Sequence, residues 1–90
     1  MQLLVIFRTR ERTDTADPEV QRALIEGINK LMDYQKEGKI LDASLKSEHT
    51  PRYTYAIFNV ESLDELDSLL WDIPAVPYLH IRKFTLLPHF

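Results

Sequence analysis

Two stretches of helical periodicity, each bracketed by strand-forming runs, divide this chain into the order strand, helix, strand, strand, helix, strand. Few folds accept that order. Residues 3–9, rich in Val, Ile and Phe, form the first strand, and Arg8-Thr9-Arg10-Glu11-Arg12 carries it into a charged loop. Asp17-Pro18-Glu19 opens a helix: Asp17 can cap free amides, and Pro18 suits the first helical position. Val20, Leu24, Ile28 and Leu31 follow at spacings that place them on one side, and Gly38 is expected to end the helix after about Glu37 in the left-handed conformation. Ile40 to Ser47 reads as a second strand, with Leu41, Ala43 and Leu45 on one face. Pro51 marks a hairpin turn within residues 48–52, and Tyr53 to Val60 is the third strand. Ser62-Leu63-Asp64-Glu65 is a capping-box pattern that starts a short amphipathic helix through Leu63, Leu66, Leu70 and Ile73, ended by Pro74. Tyr78 to Leu87 is the fourth strand, and Pro88 stops it.

This order is the split β-α-β or ferredoxin-like arrangement, an α+β fold. Two right-handed crossovers give an antiparallel four-stranded sheet of order 4-1-3-2 with both helices on one face. Leu3, Val5, Phe7, Leu79, Ile81, Ala56, Phe58 and Val60 suit the helix side. Leu4, Ile6, Arg8, His80, Arg82, Phe84, Tyr53, Tyr55 and Ile57 are left on the other. Of these, Leu4, Ile6, Ile57 and Phe84 make an apolar patch that a monomer should not expose, and sheet-to-sheet pairing would cover it. At 90 residues the chain reads as one domain over residues 1–90, and a chain this small hides only about 60 to 65% of its unfolded surface, so self-association into a dimer or larger ring is expected.

Composition narrows the function classes. A net charge of −3 with mixed signs gives no electrostatic footprint for nucleic acid or for an anionic membrane. The absence of Cys excludes disulfides, thiolate metal sites and cysteine nucleophiles. His49, His80 and His89 lack metal-ligand spacing, no Gly-rich phosphate loop occurs, and Ser44, Ser47, Ser62 and Ser68 have no nucleophile-elbow context, so neither a metal nor a cofactor is expected. The apolar run Leu3 to Phe7 is too short to span a bilayer and has no basic leader, which makes a cytoplasmic protein the expectation. The acidic residues Glu61, Asp64, Glu65 and Asp67 read as the solvated first turns of the second helix, and Trp71 as a packing or subunit anchor.

Because strands three and four run antiparallel to strand one, Arg8, Tyr53, Tyr55, Tyr78 and His80 gather at one end of the open face. An Arg beside apolar walls can hold a carboxylate through two parallel hydrogen bonds, and a Tyr hydroxyl can donate to a developing oxyanion. Imidazole is the side chain best suited to move a proton near neutral pH. A plainer use of the same residues is open too: His80 as a partly exposed interface residue, Arg8 and Arg82 as dimer salt-bridge partners, and Tyr53 and Tyr55 as amphipathic interface area.

The second half resembles muconolactone isomerase and its relatives among the dimeric α/β-barrel proteins. The likeness lies in the helix ending Glu37-Gly38, the strand Tyr55-Ala56-Ile57-Phe58-Asn59-Val60, the helix from Ser62 to Leu70, and above all Ile73-Pro74-Ala75-Val76-Pro77-Tyr78 leading into the last strand. It covers roughly residues 28–88. It implies a ferredoxin-like subunit that dimerises through its sheet, in a family that shifts a double bond in a small lactone carboxylate without a cofactor. The chain departs from the family pattern at Leu4, Ile6, Pro51 and His80, which bears on the identity of the substrate.

Three functional readings follow. In the leading one, a cofactor-independent isomerase-like protein acts by proton transfer on a small carboxylated substrate: His80 is the base, Tyr55 donates to the oxyanion, and Arg8, with Tyr53, Tyr78 and Arg82, binds the ligand. The second is a non-catalytic ligand-binding or assembly module. The third is a cofactor-free monooxygenase of the same architecture, which needs a larger and more apolar pocket.

Overall fold

In a computed structural model, residues 1–44 and 53–86 are described. The elements run β1 (Gln2–Thr9), α1 (Pro18–Lys36), β2 (Ile40–Ala43), β3 (Tyr53–Asn59), α2 (Leu63–Trp71), a one-turn 3₁₀ helix (Val76–Tyr78) and β4 (Leu79–Thr85). The sheet order is β2-β3-β1-β4 with every neighbouring pair antiparallel, the α+β ferredoxin-like arrangement. The Glu48 to Arg52 turn, Leu45 and Pro88 lie outside the described residues.

β1 is central and alternates cleanly. Leu3, Val5 and Phe7 are buried, while Leu4, Ile6 and Arg8 between them are half-buried. The same alternation buries Ala56 and Phe58 in β3 and Val60 just beyond its end. Leu79 and Ile81 of β4 pack against this core from the sheet's margin. Burying one such Leu, Val or Phe side chain is worth about 1.5–3 kcal/mol. One face of the sheet therefore carries the core and the helices.

The two helices begin where their caps dictate. Asp17 accepts a hydrogen bond from the Glu19 amide, and Ser62 accepts from the Glu65 amide at 3.1 Å. Gly38 has φ 80°, which suits a residue without a Cβ and turns the chain from α1 into β2. α1 buries Val20, Gly27, Leu31 and Tyr34. Ile28 is 42% exposed, so the buried stripe drifts from the expected one: it passes through Gly27, the small residue that lets α1 approach the Ile73–Ala75 turn. In α2, Leu66 and Leu70 are buried, but Leu63 at the first turn is 53% exposed. Trp71 is 78% exposed and so does not serve as a packing anchor within the subunit.

β2 departs from simple alternation. Its register to β3 shifts between Ile40, which faces Phe58, and Asp42, which faces Ile57, so Leu41 occupies a bulge and is exposed. Ile40 and Ala43, rather than Leu41 and Ala43, face the helices. Tyr78 also departs from expectation: Pro77 and its neighbours form the 3₁₀ turn, and β4 starts one residue later, at Leu79.

Polar contacts tie the helix layer together. The Tyr34 hydroxyl donates to the Leu69 carbonyl at 2.6 Å, joining α1 to α2, and its ring meets Phe58 edge-on. Burial, and then the Asp72 and Glu37 carboxylates, push the Tyr34 phenol up to about 12. Glu65 accepts from the Lys39 ammonium and the Glu61 amide, which hold its carboxyl below the usual range and raise Lys39 in turn. Asp67 pairs with Lys83 of β4 at 2.8 Å. Glu65 and Asp67 thus anchor α2 to the sheet side instead of forming only a solvated face.

Two outcomes are expected. A Cβ at position 27 would lie 2.9 Å from the Ala75 Cβ and 3.4 Å from Ile73 Cγ2. Gly27→Ala should therefore lower stability by about 1 kcal/mol in thermal unfolding, because overpacking of about 1–3 kcal/mol outweighs a helix-propensity gain of about 1 kcal/mol. Tyr34→Phe should cost about 1 kcal/mol at neutral pH through the lost hydrogen bond. It should also remove part of the alkaline loss of stability. Between the ordinary tyrosine value of 10.0 and about 12, folded Tyr34 keeps a proton that the unfolded chain releases, so its contribution falls as pH rises. Urea unfolding of both proteins at neutral pH and at about pH 11 checks this.

Candidate functional site

The pairing of β1 with both neighbours decides which side chains meet on the open face. Arg8 is the cross-strand partner of Tyr53 on β3 and of His80 on β4, so Tyr53, Arg8 and His80 form one row. Ile6 is the partner of Tyr55 and of Arg82, which makes the next row Tyr55, Ile6 and Arg82. Leu4, opposite Ile57 and Phe84, makes the third. Directly opposed residues share a face, with Cβ atoms about 4.5–5.5 Å apart. Two observations identify the face as the one away from the helices: Lys83 reaches Asp67 of α2, and Ile81 packs on the core, so His80, Arg82 and Phe84 point the other way.

Five of the six sequence-assigned residues therefore occupy two adjacent rows at one end of the uncovered face. Tyr53 and Tyr55 are 56% and 41% exposed, His80 and Arg82 are exposed, and Arg8 is half-buried. Tyr78 stands apart in the 3₁₀ turn. Its carbonyl accepts from the Arg10 amide at 2.9 Å, which closes that end of the sheet, and its half-buried side chain is not in the strand rows. The Arg82 guanidinium lies 5.4 Å from the centre of the Phe84 ring, a cation–π contact that draws its charge toward the apolar row.

Ser44, set aside in the sequence for lack of a nucleophile context, has a positioning part. Its amide donates to the Tyr55 carbonyl at 3.0 Å and its hydroxyl accepts from the Tyr55 amide at 2.9 Å, so it fixes the Tyr55 backbone just past the end of β2. No local pattern around Ser44 announces this, since the contact spans eleven residues and depends on the β2 bulge. Asp42, opposite Ile57, is a carboxylate on the open face, at its β2 margin.

The arrangement offers a cationic group between a phenol and an imidazole, bordered by apolar side chains. That set can hold a carboxylate, donate to an oxyanion and move a proton. A separate cleft of about 200 Å³ lies on the helix side between α2 and β4, lined by Leu70, Trp71, Val76, Ile81 and the Asp67–Lys83 pair, and none of the assigned residues borders it. Among the described residues no group of three or more His, Asp or Glu side chains could hold a metal ion. No described helix is long and apolar enough to cross a membrane.

Comparison with known proteins bears on the family and the fold. A muconolactone delta-isomerase of Rhodococcus opacus is 47% identical over 34 residues, a match that spans 38% of this chain and 37% of that protein's length. A crystal structure of muconolactone isomerase superposes with a TM-score of 0.80 at 20% identity, covering 99% of this chain and 91% of the other. A 5-chloro-2-hydroxyhydroquinone dehydrochlorinase from Burkholderia phenoliruptrix, in complex with 2,5-dihydroxybenzoquinone, shares the fold at a TM-score of 0.58 and 15% identity over 94% of each chain. The family model of muconolactone delta-isomerase matches residues 1–90, so the likeness seen in the second half extends through β1 and the whole chain belongs to that family.

Proposed function

We propose that this protein is a cofactor-independent isomerase that moves a proton on a small unsaturated lactone carboxylate or a close relative, using the polar end of its open sheet face. The observation that carries the reading is the row Tyr53, Arg8 and His80, with Tyr55 in the adjacent row. Arg8 anchors the substrate carboxylate. The imidazole of His80 takes a proton from carbon. The C–H electron pair passes into the conjugated system, and the carbonyl oxygen that gains charge accepts a hydrogen bond from the Tyr55 hydroxyl. The imidazolium then returns the proton to a different carbon. The double bond has moved, the base is regenerated, and no oxidant, reductant or second substrate enters.

The apolar rows have their own consequence. Leu4, Ile6 and Ile57 are half-buried and Phe84 is 40% exposed, so one face of the sheet presents a hydrophobic surface beside the polar end. A second copy of the chain laid against that face would remove it from water and wall the polar end on its open side. The monooxygenase alternative finds less support, because it calls for a larger apolar chamber than these rows outline. The assembly-module alternative keeps the same interface and differs only in having no turnover.

Two experiments separate these readings. In deuterated water the wild-type protein should exchange a carbon-bound proton of an unsaturated lactone carboxylate. His80→Ala should lose about 10²–10⁴-fold of that rate with unchanged sedimentation. Exchange that survives in His80→Ala, or wild-type protein with no exchange whose assembly responds to that substitution, sinks the catalytic reading. In sedimentation, the wild type should behave as a dimer or larger. Phe84→Glu should shift it toward monomer with unchanged far-UV circular dichroism, and a wild-type monomer at tens of micromolar would refute the interface.

A further inference from the structure

The two guanidinium groups of the open face are placed for different partners. Arg8 stands in the row of Tyr53 and His80. Arg82 stands in the next row, and its guanidinium lies 5.4 Å from the centre of the Phe84 ring, so its charge leans toward the apolar row and away from Arg8. The ion pairs among the described residues are Lys39–Glu65 and Lys83–Asp67, and Arg82 takes part in neither. A ligand carboxylate held at Arg8 leaves the Arg82 charge for another atom of the same molecule.

That atom is defined by what else stands in the row. Tyr55 and Arg82 are the two cross-strand partners of Ile6, on β3 and β4, about 10 Å apart at the backbone. Both side chains are longer than that of Ile6, so a ring resting on Ile6 has a phenol on one side and a guanidinium on the other. Successive rows on one face are about 6.6–6.8 Å apart. A small lactone ring with its carboxylate spans such a gap, so a carboxylate at Arg8 sets the ring carbonyl in the row of Tyr55 and Arg82. The carbon that loses the proton then lies on the side of His80.

Both donors are held before a ligand arrives. The Tyr55 backbone is bonded in both directions to Ser44, at 2.9 and 3.0 Å, and Arg82 rests on Phe84. Donors already aimed at the place where charge develops lower a barrier effectively, because nothing has to reorganise during the reaction. A neutral carbonyl oxygen gains little from a guanidinium that water already solvates. The same oxygen carrying the charge of an enolate gains a charge-assisted hydrogen bond.

We infer that Arg82 is a catalytic residue, the second donor of a two-donor oxyanion pocket formed with Tyr55, and that Phe84 positions it. This deepens the proposed isomerase reading and rests on it. When His80 takes the proton, the C–H pair enters the conjugated system and the charge collects on the carbonyl oxygen, between the Tyr55 hydroxyl and the Arg82 guanidinium. When the imidazolium returns the proton to a different carbon, the carbonyl double bond re-forms and both donors let go. Arg8 binds the ground state, and Arg82 acts on the charge that appears only during reaction.

The test pairs deuterium exchange into a γ-carboxylated butenolide with titration calorimetry of its saturated lactone counterpart, which binds without reacting. Arg82→Gln should lower kcat for exchange by about 10²–10³-fold, the scale of losing one oxyanion donor, with KM and the Kd of the saturated lactone close to wild type. Arg82→Lys should recover part of the rate, and Arg8→Gln should instead raise that Kd. Phe84→Leu, with unchanged sedimentation, should lower kcat in the wild type and cost nothing further in Arg82→Gln. A wild-type kcat in Arg82→Gln, or a loss of rate matched by equal weakening of the saturated lactone, overturns Arg82 as an oxyanion donor. The isomerase reading survives that outcome if His80→Ala still abolishes exchange. A Phe84→Leu loss that persists undiminished in Arg82→Gln overturns the positioning part of Phe84. Wild-type protein that exchanges no proton of the butenolide removes both the isomerase reading and the oxyanion pocket.

Discussion

The antiparallel register of β1 with its two neighbours is the constraint on which the rest of the structure depends. β1 is bonded on both edges, so a slip of one residue would turn Leu3, Val5 and Phe7 out of the core and bring Leu4, Ile6 and Arg8 under the helices. Leu4 and Ile6 could stand in for Leu3 and Val5, but the Arg8 guanidinium would be buried without a partner in place of the Phe7 ring, and that makes the slip prohibitive. The same register sets Tyr53 and His80 on either side of Arg8. Core packing and the composition of the candidate site are two results of one alignment.

The helix layer holds this alignment from one side. Gly27 brings α1 against the turn at Ala75, Tyr34 bonds to the end of α2, and the Lys39–Glu65 and Lys83–Asp67 pairs pin α2 to both margins of the sheet. Exposed ion pairs of this kind add little stability individually. Their value is positional, because they set where α2 lies over the strands and take up cations and carboxylates on that side. The cations of the other face take no part in these pairs.

Membership of the muconolactone delta-isomerase family and the geometry of the open face come by separate routes. The family match spans the whole chain, while the rows on β1, β3 and β4 follow from strand pairing alone. The solved structures with this fold include an isomerase and a dehydrochlorinase, both below 25% identity, so the shared fold leaves the chemistry to particular side chains. In this chain the open face places Arg8, Tyr55, His80 and Arg82 in two adjacent rows, with Ser44 bonded to the Tyr55 backbone.

Local signals determined the order of elements, both N-caps, the Gly38 turn and the inward faces of β1 and β3, because each depends on residues a few positions apart. The gathering of Arg8, Tyr53 and His80 was legible too, since antiparallel order and period-two alternation suffice to bring them to one end. What only the tertiary structure decided has a shared cause: it depends on contacts between elements. The exposure of Ile28 and Leu63 follows from how the helices lie on the sheet, and the role of Gly27 from the approach of the Ala75 turn. The bulge at Leu41 and the brace of Ser44 on Tyr55 follow from pairing with β3, and the start of β4 at Leu79 from the 3₁₀ turn. The position of the Arg82 charge over Phe84 is a side-chain choice that periodicity does not reach, and it separates two cations that the sequence shows only as neighbours on one face.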